Sequence, residues 1–112
     1  MASRVTTSRR ELHDILVSIL GSRNVYFQPP ESKKLIYPCI VYERSDIKNT
    51  DAGNDVYLQH YTYQITVIDS DPDSDIPQKV SNIVHCRFVR HFASDGLNHD
   101  VFNCTIQNQN PQ

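Results

Sequence analysis

Four aspartates at alternate positions, Asp69, Asp71, Asp73 and Asp75, are the densest group of possible ligands in the chain. Alternating carboxylates suit a hard cation such as calcium, which is held entirely by oxygen. The spacing does not fit the EF-hand pattern, however. Counting from Asp69, the position that needs glycine holds Ser74, and the position that needs a bidentate glutamate holds Val80. The carboxylates read instead as an acidic loop that caps a following helix, where negative charge meets the positive end of the helix dipole.

His85, Cys86, His91, His99 and Cys104 are zinc-ligand types. They lack the close pairs, such as Cys-x-x-Cys, that a zinc site uses. On a regular strand Cys86 and His91 have opposite parity and point to different faces. A cysteine nucleophile drawn from Cys86 or Cys104, with a histidine base, has no glycine-rich elbow, oxyanion loop or phosphate cradle beside it. With three glycines in the chain, close backbone approach to a substrate is poorly served. This reading assigns no catalytic residue, no metal and no cofactor.

Tyrosine is the more suggestive type. Tyr57, Tyr61 and Tyr63 share one parity of an alternating run, with Tyr37 and Tyr42 in the preceding segment. Such a stripe is either the edge of a core or an interface, where tyrosine combines apolar area with a hydroxyl at low entropic cost. Arg87, Arg90 and His91 form a basic group that suits a solvated strand face or a partner-binding patch.

These residues need elements to carry them. Ser8-Arg9-Arg10-Glu11 is a capping box, and Leu12, Ile15, Leu16, Ile19 and Leu20 recur at helical spacing until Gly21 ends the helix. Asn24 to Gln28 reads as a short strand closed by Pro29-Pro30. Pro38 to Glu43 is a second strand. The polar stretch Arg44 to Asp55 reads as a long exposed loop, with Arg44, Asp46, Lys48, Asp51 and Asp55 available to a neighbour.

From Val56 to Ile68 the pattern alternates: Tyr61, Tyr63, Ile65 and Val67 face one side, and His60, Thr62, Gln64 and Thr66 the other. Ser74 or Asp73 caps a second helix through about Val84, with Pro77 in its first turn and Ile76, Val80 and Ile83 as its apolar stripe. Cys86 to Phe92 and Val101 to Ile106 form a closing strand pair around an Asp95-Gly96 turn, with Phe102, Cys104 and Ile106 inward. The polar tail from Gln107 reads as loose, as do residues 1–7. Helix, strands, helix, strands makes an α+β domain.

A chain of 112 residues makes one domain with a high ratio of surface to volume. At 38% hydrophobic residues it is a folded chain of thin layers, a kind that often completes its burial in an oligomer. The net charge of -2 gives no broad attraction for phosphate backbones. No stretch is apolar enough to span a bilayer, and Met1 to Arg10 contains no apolar signal core, so a cytoplasmic site of synthesis and assembly is expected. Three dispersed cysteines argue for reduced, mostly buried thiols.

The phrases Tyr61-Thr62-Tyr63-Gln64-Ile65-Thr66-Val67-Ile68, Asp69-Ser70-Asp71-Pro72-Asp73-Ser74-Asp75 and Arg90 to Phe102 together resemble the small tail-terminator, or tail-completion, proteins of long-tailed bacteriophages. The resemblance spans Leu35 to Ile106 in element order and local phrases. It implies a mixed, mainly antiparallel sheet of four to five strands with two helices on one side.

It also implies a structural virion protein at the tail–neck junction. Such proteins form a hexameric ring that caps the tail tube, halts its polymerisation and meets neck and head-completion proteins around a channel for DNA. In that role the tyrosines, the Arg44 to Asp55 stretch and the Arg87/Arg90 pair would serve subunit or tube contacts. The acidic loop would line the channel and repel passing DNA, or would meet a basic patch on the next subunit. Another head–tail connector fits similarly. From a different class, a small α+β domain binding a peptide or small molecule in a tyrosine-lined groove remains an alternative.

Overall fold

The computed structural model describes residues 8–52 and 56–110. Over these the chain is an α+β domain, with a five-stranded mixed sheet and two helices packed on one face. In chain order the elements are α1 (Arg9–Leu20), β1 (Val25–Phe27), β2 (Cys39–Ala52), β3 (Val56–Asp69), α2 (Ile76–Ser81), β4 (Cys86–Ser94) and β5 (Leu97–Asn110). The sheet order is β1-β2-β3-β5-β4, with β1 parallel to β2 and every other pair antiparallel. No helix among the described residues is long and apolar enough to cross a membrane.

α1 forms as its local sequence dictates. The Ser8 hydroxyl accepts from the Glu11 amide at 3.1 Å, and Gly21 closes the helix at φ 81°, its amide donating to the Val17 carbonyl. Leu12 and Leu16, one turn apart, are fully buried on the sheet. Opposite them lie Ile40 and Tyr42 of β2, Tyr63, Ile65 and Val67 of β3, and Phe102, Cys104 and Ile106 of β5. Val80 and Ile83 close the other half of this core. Period-2 alternation on three central strands and helical spacing on α1 thus meet in one layer.

α2 is shorter than its apolar stripe suggests. It ends at Ser81, so Val84 lies beyond it, and its N-cap is Asp75, whose side chain makes no capping bond. The Ser74 hydroxyl accepts from the Ile76 amide at 3.2 Å instead. Ile83 reaches the core from the turn after the helix, where its amide bonds the Val80 carbonyl.

Two stretches that read as irregular are strands. The polar segment from Arg44 continues β2 to Ala52 and pairs with β3 along its length, from Asp46↔Thr62 to Ala52↔Val56. An extra residue, Ser45, makes a bulge between Arg44 and Asp46, and its hydroxyl donates to the Thr62 carbonyl. Similarly, the polar tail from Gln107 extends β5 to Asn110 against Tyr57–His60. Neither segment has an apolar periodicity, and it is the backbone pairing with β3 that makes each a strand. The result is a three-stranded extension, and the molecule measures 52 × 36 × 24 Å.

β4 and β5 join through Asp95 (φ 55°) and Gly96 (φ 76°), the positive-φ pair of a type I′ turn. β4 is the sheet's outer strand and is exposed along nearly its whole length. A second bulge, at Val89, falls between Phe88↔Phe102 and Arg90↔Val101.

Candidate functional site

The Val89 bulge decides which side chains share a face. On an unbroken strand Arg87 and Arg90 point to opposite sides; the extra residue brings both to the face away from the helices, opposite Asn103 and Val101. Phe92 joins them there, stacked on His99 with ring centroids 4.5 Å apart and capped by the Arg90 guanidinium at 5.5 Å. The same shift puts Cys86 and His91 on the same face, which corrects the parity argument for separating them. They remain far apart along the strand, with β5 partners Cys104 and Asp100. His91 bonds the Asp100 carboxylate through Nδ1 at 2.9 Å.

β4 also carries exposed apolar side chains on both sides of its edge: Phe88 on the helix face, Phe92 on the opposite face and Val89 at the bulge between them. Phe88, Val89 and Phe92 are 52%, 44% and 40% exposed. Phe88 meets Phe102 edge-to-face at 5.6 Å, which leaves its outer side open. Edge strands ordinarily discourage pairing with charge, proline, a bulge or brevity. β4 carries two such devices, the Val89 bulge and the charges of Arg87 and Arg90, yet its nine residues still present an outer edge beside three large exposed apolar side chains. Arg87 and Arg90 add positive charge on the helix-free side of that edge, whereas His91 lies on the helix face beside Asp100. Phe88, Val89 and Phe92 were not singled out from the sequence, since nothing local to Cys86–Phe92 reveals which strand ends the sheet.

The tyrosine stripe resolves differently. Tyr42 is fully buried and Tyr63 is 4% exposed, so both are core residues rather than contact residues. They face α1, and their rings meet edge-to-face at 6.1 Å, with Phe27 packed against both. Burial pushes both hydroxyls above the usual tyrosine range. Tyr42 is tied to α1: Arg9 donates to its oxygen at 3.0 Å, and His13 Nδ1 lies at 2.7 Å. Burial, and then the nearby Arg9 charge, lowers the His13 pKa. This favours the neutral ring as acceptor of the Tyr42 proton.

Tyr61 is half-buried where the core runs out, beneath the Arg44 guanidinium at 5.8 Å. Asp46 and Lys48 are exposed on the extension, paired in register with Thr62 and His60. Asp51 and Tyr57 are ladder partners near its tip, and Asp55 lies outside the described residues. Arg44, Asp46, Lys48 and Tyr61 therefore belong to one strand pair, remote from Arg87 and Arg90 across β5.

The acidic loop has a local account. Asp69 Oδ1 accepts from the Asp71 amide at 3.0 Å, and Asp71 Oδ1 from the Asp73 amide at 2.9 Å. These are two consecutive Asx turns, and they explain why the carboxylates alternate. Asp75 pairs with Lys79 at 3.5 Å across one exposed helical turn. Among the described residues no three His, Cys, Asp or Glu side chains group to hold a metal ion.

Thr62, His85, Cys86, Arg87, Asn103 and Thr105 line a shallow depression on the helix-free face. Apart from Cys86, the residues that line it are polar. No model of a known protein family and no curated protein sequence matches this chain.

Proposed function

We propose that the chain is a structural subunit that assembles with copies of itself through the β4 edge. In this reading it forms the closed ring of a tail-terminator or tail-completion protein of a long-tailed phage. The observation that carries the reading is the nine-residue edge strand with Phe88, Val89 and Phe92 exposed beside unpaired backbone. A contact made by one edge with a different surface of the next copy is heterologous, and when its rotation closes it generates a ring. The extension of β2, β3 and β5 beyond the helices supplies a second element that can reach a neighbour or the tube.

The acidic loop suits the channel role in charge. Its carboxylates are exposed at Asp71, Asp73 and Asp75, and negative charge there keeps a passing polyanion from adhering. The tube protein and a neck component are the partners this role requires. The same edge also supports a second reading: an open strand with flanking apolar side chains accepts an extended peptide by β-augmentation.

Light scattering of the purified chain over a concentration series, with negative-stain imaging, tests the proposal. Ring-shaped species are expected, as a closed heterologous contact generates, with about six subunits as the resemblance to tail-terminator proteins implies. A chain that stays monomeric at the highest attainable concentration overturns self-assembly and leaves the peptide-binding edge.

A further inference from the structure

We propose that Cys86 and Cys104 are an oxidisable dithiol that closes to an intramolecular disulfide under a disulfide oxidant, stapling the edge strand β4 to β5. The proposal stands on register and does not depend on the assembly reading. Cys86 and Cys104 are direct cross-strand partners. The neighbouring pair is the hydrogen-bonded one, since the Thr105 amide donates to the His85 carbonyl at 3.1 Å. Cys86 and Cys104 therefore form a non-hydrogen-bonded pair, in which Cα atoms lie about 4.5 Å apart, inside the range that a disulfide spans.

Both side chains point to the helix face. Cys104 belongs to the buried core, and Cys86 packs against it. The two thiols are in hydrogen-bond contact, and this contact, with burial, raises the Cys86 pKa. A thiol held in its neutral form reacts slowly at neutral pH and faster as pH rises. The pair is therefore latent rather than quickly reactive.

Access sets the order of events. Cys86 is partly exposed and Cys104 is fully buried. The Cys86 thiol loses its proton, and the thiolate attacks one sulfur of glutathione disulfide; a mixed disulfide forms and one glutathione thiolate leaves. Deprotonated Cys104 then attacks the Cys86 sulfur, and the second glutathione thiolate departs. Two thiol protons are released in all, and the two electrons reside on the two glutathiones. Cys39, buried at the start of β2 with its thiol pushed up to about 11 by burial, lies outside this pair and serves as an internal reference.

The test incubates the full chain with excess glutathione disulfide under native conditions at mildly alkaline pH, then unfolds and alkylates it. The expected product is a single chain two hydrogens lighter. It takes up one alkyl group, at Cys39, and yields a linked peptide joining Cys86 to Cys104; dithiothreitol reverses the change. Cys39→Ser leaves closure intact, whereas Cys86→Ser abolishes it. Retention of three free thiols, a glutathione adduct on Cys86 that never closes, or a link involving Cys39 or a second chain overturns the proposal. The wild-type map alone decides the matter if a serine variant fails to fold.

Discussion

Replacing Tyr42 with Phe isolates one buried hydroxyl. The ring stays in a fully enclosed site against Phe27 and Tyr63, so the apolar packing is preserved. Two bonds are lost, the one from Arg9 at 3.0 Å and the one with His13 Nδ1 at 2.7 Å. A neutral bond is worth about 1 kcal/mol net, and one to a charged donor about 1.5–3 kcal/mol. Arg9 and His13 are both partly exposed and can regain water, which trims the second figure. The expected loss is about 2 kcal/mol, which for a domain of this size lowers the melting midpoint by roughly 8 °C.

Calorimetry or circular dichroism at pH 7 reads this directly. A pH series adds an independent check. The folded His13 pKa is depressed, so its contribution is fully present above the unfolded value of about 6.5. It is lost as pH falls from there through the folded value, because the unfolded chain binds the proton first. His13→Gln should flatten the wild-type decline in that window. A Tyr42→Phe loss below about 0.5 kcal/mol, with an unchanged pH slope in His13→Gln, would refute the proposed tie between α1 and β2.

Other perturbations test other parts of the structure. Leu16→Ala removes a fully buried side chain from the α1–sheet contact and should cost about 2–5 kcal/mol in denaturant unfolding. Gly96→Ala meets no neighbouring atom but places a Cβ at φ 76°, so about 1 kcal/mol should be lost through backbone strain alone. Asp71→Asn keeps an Oδ1 acceptor for the Asp73 amide and should be nearly neutral. Asp71→Ala removes it and should cost about 1 kcal/mol by thermal melting.

Much of this fold is written in local pattern. The Ser8 to Glu11 box, the Leu12/Leu16 spacing and Gly21 define α1 without tertiary help, and the Tyr61 to Val67 alternation names the core face of β3. The Asp95-Gly96 turn is equally local. What stays hidden depends on neighbours. Strand β2 beyond Arg44 and strand β5 beyond Ile106 are polar on both faces, and only their pairing with β3 makes them strands. The bulges at Ser45 and Val89 reset parity without a local mark, so Cys86 and His91 share a face against the parity reading, and His91 parts from Arg87 and Arg90. Tyr42 could have been an interface or a core residue until α1 was placed over it. The exposed strip Phe88, Val89 and Phe92 follows from β4 standing last in the sheet, a fact of topology rather than of sequence.

The role of β4 is tested most directly by comparing the solution mass of the wild type with that of a Val89→Asp, Phe92→Asp double variant. Both substituted positions are 40% or more exposed, so the variant should stay folded, its melting midpoint lowered only by loss of the Phe92–His99 stack. The prediction is a closed oligomer for the wild type and a folded monomer for the variant. A wild type that is monomeric, or a variant that assembles as the wild type does, would contradict self-assembly through this edge.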